Sequence, residues 1–163
     1  MIVLLDSNTL GILAKPERSF DEPIDESQAC QQWFYGLLSR GNHVLTSEIS
    51  DYEVRRGLLS DLINSKKAPL GLRVLDALAT DGLLEFLPIS KQVLILAANL
   101  WAEASSLGKQ TSDSKNIDAD MIISAHYRIL CDEHPGQQVI VATTNLKHLS
   151  IFCEAANWQD IKL

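Results

Sequence analysis

Four carboxylates, Asp6, Glu53, Asp118 and Asp120, fall near the ends of stretches that read as regular elements. Carboxylates gathered from separate elements suit a hard divalent cation such as Mg2+ or Mn2+, which prefers oxygen ligands and keeps part of its water. Such an ion turns an acidic cluster that repels phosphate into one that attracts it. Ser7 and Asn8 beside Asp6, and Thr143 and Asn145 further on, add hydroxyl and amide groups that can orient ligands or water. Arg55 and Arg56 follow Glu53 closely and are candidates for phosphate contact, as are Lys147 and Arg128, although such cations more often serve only a solvated face.

Each acid also has an ordinary account. Asp6 suits a helix N-cap after a strand. Glu53 completes a Ser-x-x-Glu capping box that begins at Ser50. Asp118 and Asp120 precede the apolar run Met121, Ile122, Ile123, where acids stabilise a helix N-terminus. What favours a shared site is the set taken together, provided the fold brings the acids to one place.

The elements that would do so are readable from patterning. Ile2 to Leu5 is a continuous apolar run ending at Asp6, the mark of a buried strand leading into a helix. Lys15 to Ser27 holds Pro16 and Pro23 without periodicity and reads as a loop. Helical spacing returns at Cys30, Trp33, Phe34, Leu37 and Leu38 and stops at Gly41. A strand over His43 to Leu45 precedes a helix over Tyr52 to Leu62, and another helix spans Gly71 to Ala79. Leu83 to Ile89 reads as a strand, followed by a helix that Ser90 caps and Gly108 closes. After a polar loop, Lys109 to Asn116, come a helix over Asp118 to Leu130 and a strand over Val139 to Ala142. Strands alternating with helices predict an α/β fold, with a central parallel sheet of about four or five strands and helices on both faces. In such sheets ligands bind beyond the carboxyl ends of the strands, where Asp6 and Thr143 to Asn145 would meet.

With 163 residues, 46% of them hydrophobic, the chain suits a single domain over 1–163. A net charge of -7 argues against coating nucleic acid by bulk attraction, so a phosphate partner must be engaged locally. No Gly-x-Gly-x-x-Gly or Gly-Lys-Ser/Thr motif follows a strand, which speaks against dinucleotide or nucleoside-triphosphate use. Asn8 stands where an aspartyl phosphatase would carry the second acid of an Asp-x-Asp pair. Cys30, Cys131 and Cys153 lack metal or disulfide spacing and read as small buried hydrophobes. His126 and His148 have no partner at ligand spacing and are read as packing or surface residues; Trp33, Trp101 and Trp158 are read as packing rather than base-stacking groups. The opening run is too short for a signal peptide and no segment suits a bilayer span, which predicts a cytoplasmic protein without membrane association.

The same residues carry a resemblance that covers most of the chain. A strand followed by Asp6-Ser7-Asn8, then Ser47 and a helix with Glu53 and Gly57, then Asp120-Met121-Ile122-Ile123-Ser124-Ala125, then Val139 to Val141 with Thr143-Thr144-Asn145, resembles the PIN domain family, which includes VapC-type toxins. The blocks are weak singly and fairly specific in their order and separation. The resemblance implies a Mg2+- or Mn2+-dependent ribonuclease acting on RNA, single-stranded by expectation, with Asp6, Glu53 and Asp120 as metal ligands and Asp118 completing the set. It further implies a small antitoxin partner and commonly a homodimer. The alternative is a catalytically weak or inactive PIN-like module that binds nucleic acid or regulates. The sequence departs from the family pattern where Asn145 replaces a frequent Asp and His148-Leu149 replaces Asp-Phe. Asn145 brings no negative charge, so a second metal would depend on Asp118.

Overall fold

Ile2–Leu5 forms β1, and all four of its residues are buried. That is why the run is apolar throughout: a strand covered on both faces has no solvent side to alternate with. In this computed structural model, which describes residues 1–16, 23–65, 70–106 and 117–162, β1 is the centre of the sheet. It pairs in parallel with β2 (His43–Ser47) on one side and β4 (Val139–Ala142) on the other. β3 (Glu85–Leu87) lies beyond β2 and β5 (Ala155–Ala156) beyond β4, giving a five-stranded, all-parallel sheet of order β3-β2-β1-β4-β5. The α/β architecture with a parallel sheet stands as expected, with five strands. β5 has no counterpart in the sequence reading because two alanines carry no period.

The helices are α1 (Ser7–Leu13), α2 (Glu26–Ser39), α3 (Glu48–Ser65), α4 (Leu70–Thr80), α5 (Lys91–Ser106), α6 (Ile117–Glu133) and α7 (Leu146–Leu149), with a short 3-10 turn at Trp158–Asp160. Val3, Leu5, Val44 and Ala142 face Leu10 and Leu13 of α1, Phe34 and Leu37 of α2, and Leu75 and Leu78 of α4. Ile2, Leu4, Leu45 and Val141 face the opposite way, against Ile123 and Leu130 of α6 and Leu149 of α7. The alternation within β1 thus divides one apolar run between two cores. α5 forms an outer layer by packing Val93, Ala97 and Leu100 on Met121, Ile122 and Ala125 of α6.

Helix limits differ from the expected ones where caps decide them. Asp25 accepts from the Gln28 N–H while Gln28 reaches back to the Asp25 N–H, a capping box that starts α2 inside the stretch read as loop. Ser90 Oγ accepts from the Val93 N–H at 3.3 Å, so the cap expected for α5 is present. Gly108 and the loop over 109–116 lie outside the described residues. Gly41 closes α2 with φ +72, a conformation that favours glycine. Gly71 has another reason: a Cβ there would meet Leu58 at 2.8 Å, because α4 lies close against α3.

Trp33 donates its indole N–H to the Ile161 carbonyl and packs on Trp158, so both rings are buried packing groups. Trp101 differs: it is 46% exposed on α5. Cys30 and Cys153 are buried, with thiols pushed up to about 12 by burial, which leaves them protonated and inert. Among the described residues, no helix is long and apolar enough to cross a membrane.

Candidate functional site

The strand order reverses at β1: β2 and β3 build outward on one side, β4 and β5 on the other. A crevice opens beyond the carboxyl ends of strands at such a switch point, and Asp6 lies in it. Its N–H donates to the Ala142 carbonyl at 3.1 Å, continuing the β1–β4 ladder by one bond. Asp6 Oδ1 accepts from the Thr9 N–H at 2.8 Å, so the N-cap account is correct. Asp6 Oδ2 accepts from the Thr143 hydroxyl at 2.6 Å. A carboxylate has about four lone-pair positions, so these bonds orient Asp6 without exhausting it. Asp6 is 3% exposed, and burial pushes its carboxyl above the ordinary range despite the hydrogen bonds from Thr143 and Thr9, which pull the other way.

Glu53 is not a capping residue. α3 begins at Glu48, so Ser50 lies inside the helix and the Ser50–Glu53 box does not form. Ser47 Oγ accepts from the Ile49 N–H at the helix start instead, and the Ser50 hydroxyl is buried without a hydrogen-bond partner among the described residues. Freed from the helix end, Glu53 accepts from the Ser7 hydroxyl on one oxygen and from Arg56 Nη2, at 3.3 Å, on the other. The Arg56 guanidinium in turn lies 5.6 Å from the Tyr52 ring centroid, at cation–π range.

Asp120 comes from the first turn of α6 and is 8% exposed. Its carboxyl is pushed up to about 6, chiefly by burial; the nearby His148 opposes this, while the negative charges of Asp6 and Glu53 add to it. Asp120 therefore senses the charge of both other acids. Asp6, Glu53 and Asp120 line one cleft of about 590 Å³, together with Ser7, Asn8, Lys15, Arg56, Gly57, Asp61 and Asn145.

Other expected residues go elsewhere. Asp118 is exposed and lines a separate, apolar groove between α5 and α6 with Leu94, Trp101 and Met121. Two residues correspond to about 200° of helix, so Asp118 and Asp120 point to different sides of α6. The structure thus does not bring Asp118 to the cluster, nor any second-metal charge it was expected to supply. Arg55 makes a two-pronged bond to Asp51 and a further ion pair to Asp76 at 2.9 Å, tying α3 to α4 away from the cleft. Lys147 is exposed on α7 and does not line the cleft, and Arg128 pairs with Glu103 of α5 at 3.9 Å.

Two charged residues of the cleft, and a third residue beside Asp120, escaped the sequence reading. Lys15 and Asp61 belong to stretches without a motif. His148, read as a packing or surface residue, has Nδ1 3.3 Å from Asp120 Oδ2 and is half-buried in the site. Its signal was present as spacing: Asn145-x-x-His148 across one helical turn puts both side chains on one side. His126 is buried as packing, its pKa lowered by burial.

The donor set agrees with a hard divalent cation in chemistry: two buried carboxylates, Asp6 and Asp120, and the partly buried Glu53, with hydroxyl and amide oxygens beside them. In spacing, no group of three or more His, Cys, Asp or Glu side chains among the described residues stands ready to hold one ion. Each acid has a partner of its own: Thr143 for Asp6, Ser7 and Arg56 for Glu53, and His148 for Asp120. Direct ligation by all three needs side-chain rotation, whereas a water-rich ion needs fewer direct ligands.

No protein-family model matches the chain, and no curated protein matches its sequence. Solved structures do match over nearly its whole length. A chain of FitAcB from Neisseria gonorrhoeae is 20% identical with TM-score 0.64, covering 98% of this chain and 99% of that one. A chain of VapBC2 from Rickettsia felis, bound to a DNA fragment from its promoter, is 18% identical with TM-score 0.64 over 97% and 99%. A chain of VapBC-1 from nontypeable Haemophilus influenzae is 16% identical with TM-score 0.62 over 98% and 100%. At such identities the likeness shows a shared fold.

Proposed function

We propose that the chain is a metal-dependent endoribonuclease of PIN type, the toxin of a toxin–antitoxin pair acting on single-stranded RNA in the cytoplasm. The observation that carries this reading is the placement of Asp6 and Asp120, buried and within reach of each other's charge, at the sheet's switch point with Glu53 at the same cleft. Burying like charges together costs stability unless a cation or substrate compensates, which is the pattern expected of a working site. RNA as substrate and an antitoxin as partner rest on the resemblance to VapC-type toxins. The shared fold with chains of the FitAcB and VapBC structures supports the same reading.

Asp6, Glu53 and Asp120 are the residues that would hold Mg2+ or Mn2+, with Asn145 reached directly or through water. When bound, such an ion lowers the pKa of a coordinated water and offsets charge developing on the phosphate. Hydrolysis adds a water oxygen to phosphorus, breaks one P–O ester bond and leaves a proton on the departing oxygen. Thr143 and the Thr9 N–H fix Asp6 against rotation. Arg56, swinging from Glu53 to a phosphate oxygen, frees a carboxylate oxygen and supplies a compensating charge in the same movement.

One observation favours the second reading, a PIN-like module with weak or no turnover: among the described residues no three His, Cys, Asp or Glu side chains stand close enough to share one ion. A panel of single-stranded RNAs incubated with the protein and Mg2+ or Mn2+ separates the two. Cleavage that disappears in Asp6→Asn and Asp120→Asn supports the nuclease. No cleavage of any RNA with either ion overturns it in favour of the inert module.

A further inference from the structure

The cleft runs well past its acids. Along α3 it is lined by Glu53, Gly57 and Asp61, which share one side of the helix at four-residue spacing. Asp61 therefore lies two turns beyond Glu53, about 12 Å along the axis. The opposing wall is Ser7 and Gly11 of α1 with Lys15 just past its end. Ile12, Val54 and Leu58 complete this stretch of the lining. Ile12 and Val54 are packed on the core, and Leu58 is backed by Gly71 of α4, so the floor here is aliphatic and held in place.

Gly57 is the residue of this lining that the fold does not explain. Gly41 serves a positive φ and Gly71 a lack of room, and Gly57 has neither reason. It lies in the middle of an 18-residue helix, is not among the positive-φ glycines, and a Cβ there would meet nothing within 4 Å. Glycine is among the poorest helix formers, so alanine would suit α3 better at this exposed position. What glycine leaves is open space on the cleft wall, one turn from Glu53. Such space lets a ligand come close to a helix backbone.

The charges indicate which part of a substrate belongs there. Asp6, Glu53, Asp61 and Asp120 outnumber Lys15 and Arg56 in the cleft, so a polyanion gains little by running its phosphates along it. A ribose and an unpaired base carry no charge, and laying a base face over Ile12, Val54 and Leu58 removes apolar surface from water. We propose that Gly57, with this aliphatic floor, forms a subsite for the ribose and base of the nucleotide next to the scissile phosphate. Its missing side chain is what admits them, which makes Gly57 a specificity-determining residue. This subsite rests on the cleft being a ribonuclease site, as argued above. It takes an unpaired nucleotide, because a base stacked inside a duplex has no free face to offer.

Initial rates on a single-stranded RNA at saturating Mg2+ or Mn2+ are compared for the wild type, Gly57→Ala and Gly57→Leu, with denaturant melts of the same full chains. Leucine, which fills the opening, is expected to raise KM about tenfold while kcat changes less than about threefold. Alanine, which only narrows it, should raise KM less than about threefold. Both variants should unfold at the same or a higher denaturant midpoint, since both residues favour helix more than glycine does. Gly57→Gln, of similar reach but polar, gives the same comparison should leucine at the surface cause aggregation. Unchanged KM in folded Gly57→Leu and Gly57→Gln overturns the subsite and leaves the nuclease standing, as does a fall in kcat alone. Loss of stability in all three variants also overturns it, by giving Gly57 a role in the fold. A wild type that cleaves no RNA removes the ribonuclease reading and the subsite with it.

Discussion

Asp118 and Asp120 lie in the same turn of α6, yet they inhabit two different regions of the molecule. Asp120 is buried beside Asp6, Glu53 and His148 in a polar cleft; Asp118 is exposed on the lip of an apolar groove under Trp101 and Leu94. A buried carboxylate among like charges stores unfavourable energy that a cation or substrate can release, whereas an exposed one is already satisfied by water. The contrast shows that acidity near a helix start is a poor guide to chemistry until the helix phase is known.

The largest expected difference is catalytic. Asp6→Asn and Asp120→Asn should each lower metal-dependent RNA cleavage by roughly a hundredfold or more, while Asp118→Asn changes it less than about twofold, measured as initial rates on one substrate. Equal effects from Asp118 and Asp120 would dissolve the distinction between the two regions. The next effect is on pH. Asp120 holds its proton up to about 6, and a protonated carboxyl is a poor ligand. Cation affinity and cleavage should therefore fall about tenfold per unit as pH drops below about 6 and level off above it, and the Asp118→Asn variant should show the same profile.

Stability should move in the opposite sense from activity. The Asp120 carboxyl is raised from 3.8 unfolded to about 6 folded, so between those values the folded chain keeps a proton that the unfolded chain has released. Stability then falls as pH rises through that window, and the full penalty is present above about 6. Without added metal at pH 7, Asp120→Asn should stabilise the fold by about 1 to 3 kcal/mol in denaturant melts, with the gain vanishing below about pH 4. Asp118→Asn should stay within about 0.5 kcal/mol. A destabilised Asp120→Asn at pH 7 would contradict the stored-charge picture.

The smallest contrast concerns two neighbouring arginines. Arg55→Ala should reduce stability by about 1 kcal/mol, because it severs Asp51 and Asp76 at a half-exposed junction, and should leave cleavage unchanged. Arg56→Ala should leave stability within about 0.5 kcal/mol and raise KM severalfold, since its partner Glu53 belongs to the cleft. Exchange of those outcomes would mean that the phosphate-facing residue has been misassigned.

What was readable in the sequence follows from how local each cause is. β1 declared itself because a doubly covered strand must be apolar at every position, and Asp6 because it ends that run. The α/β order likewise followed from alternating periods. The start of α3 was hidden: Ser50 and Glu53 form a perfect local capping pattern, but the helix begins earlier, at Glu48, and leaves the Ser50 hydroxyl buried without a partner. His148 was hidden for a different reason. Its partner Asp120 is distant in sequence, and only the packing of α7 against α6 brings the two together. Arg55 and Arg56 were indistinguishable by composition, and their division of labour depends on where α4 supplies Asp76.

Crystals soaked in Mn2+ and measured for anomalous scattering would test the central claim most directly, because the signal locates the ion without reference to activity. A peak is expected between Asp6, Glu53 and Asp120 and none at Asp118. No peak in the cleft at saturating Mn2+, or one confined to Asp118 in the α5–α6 groove, would contradict it.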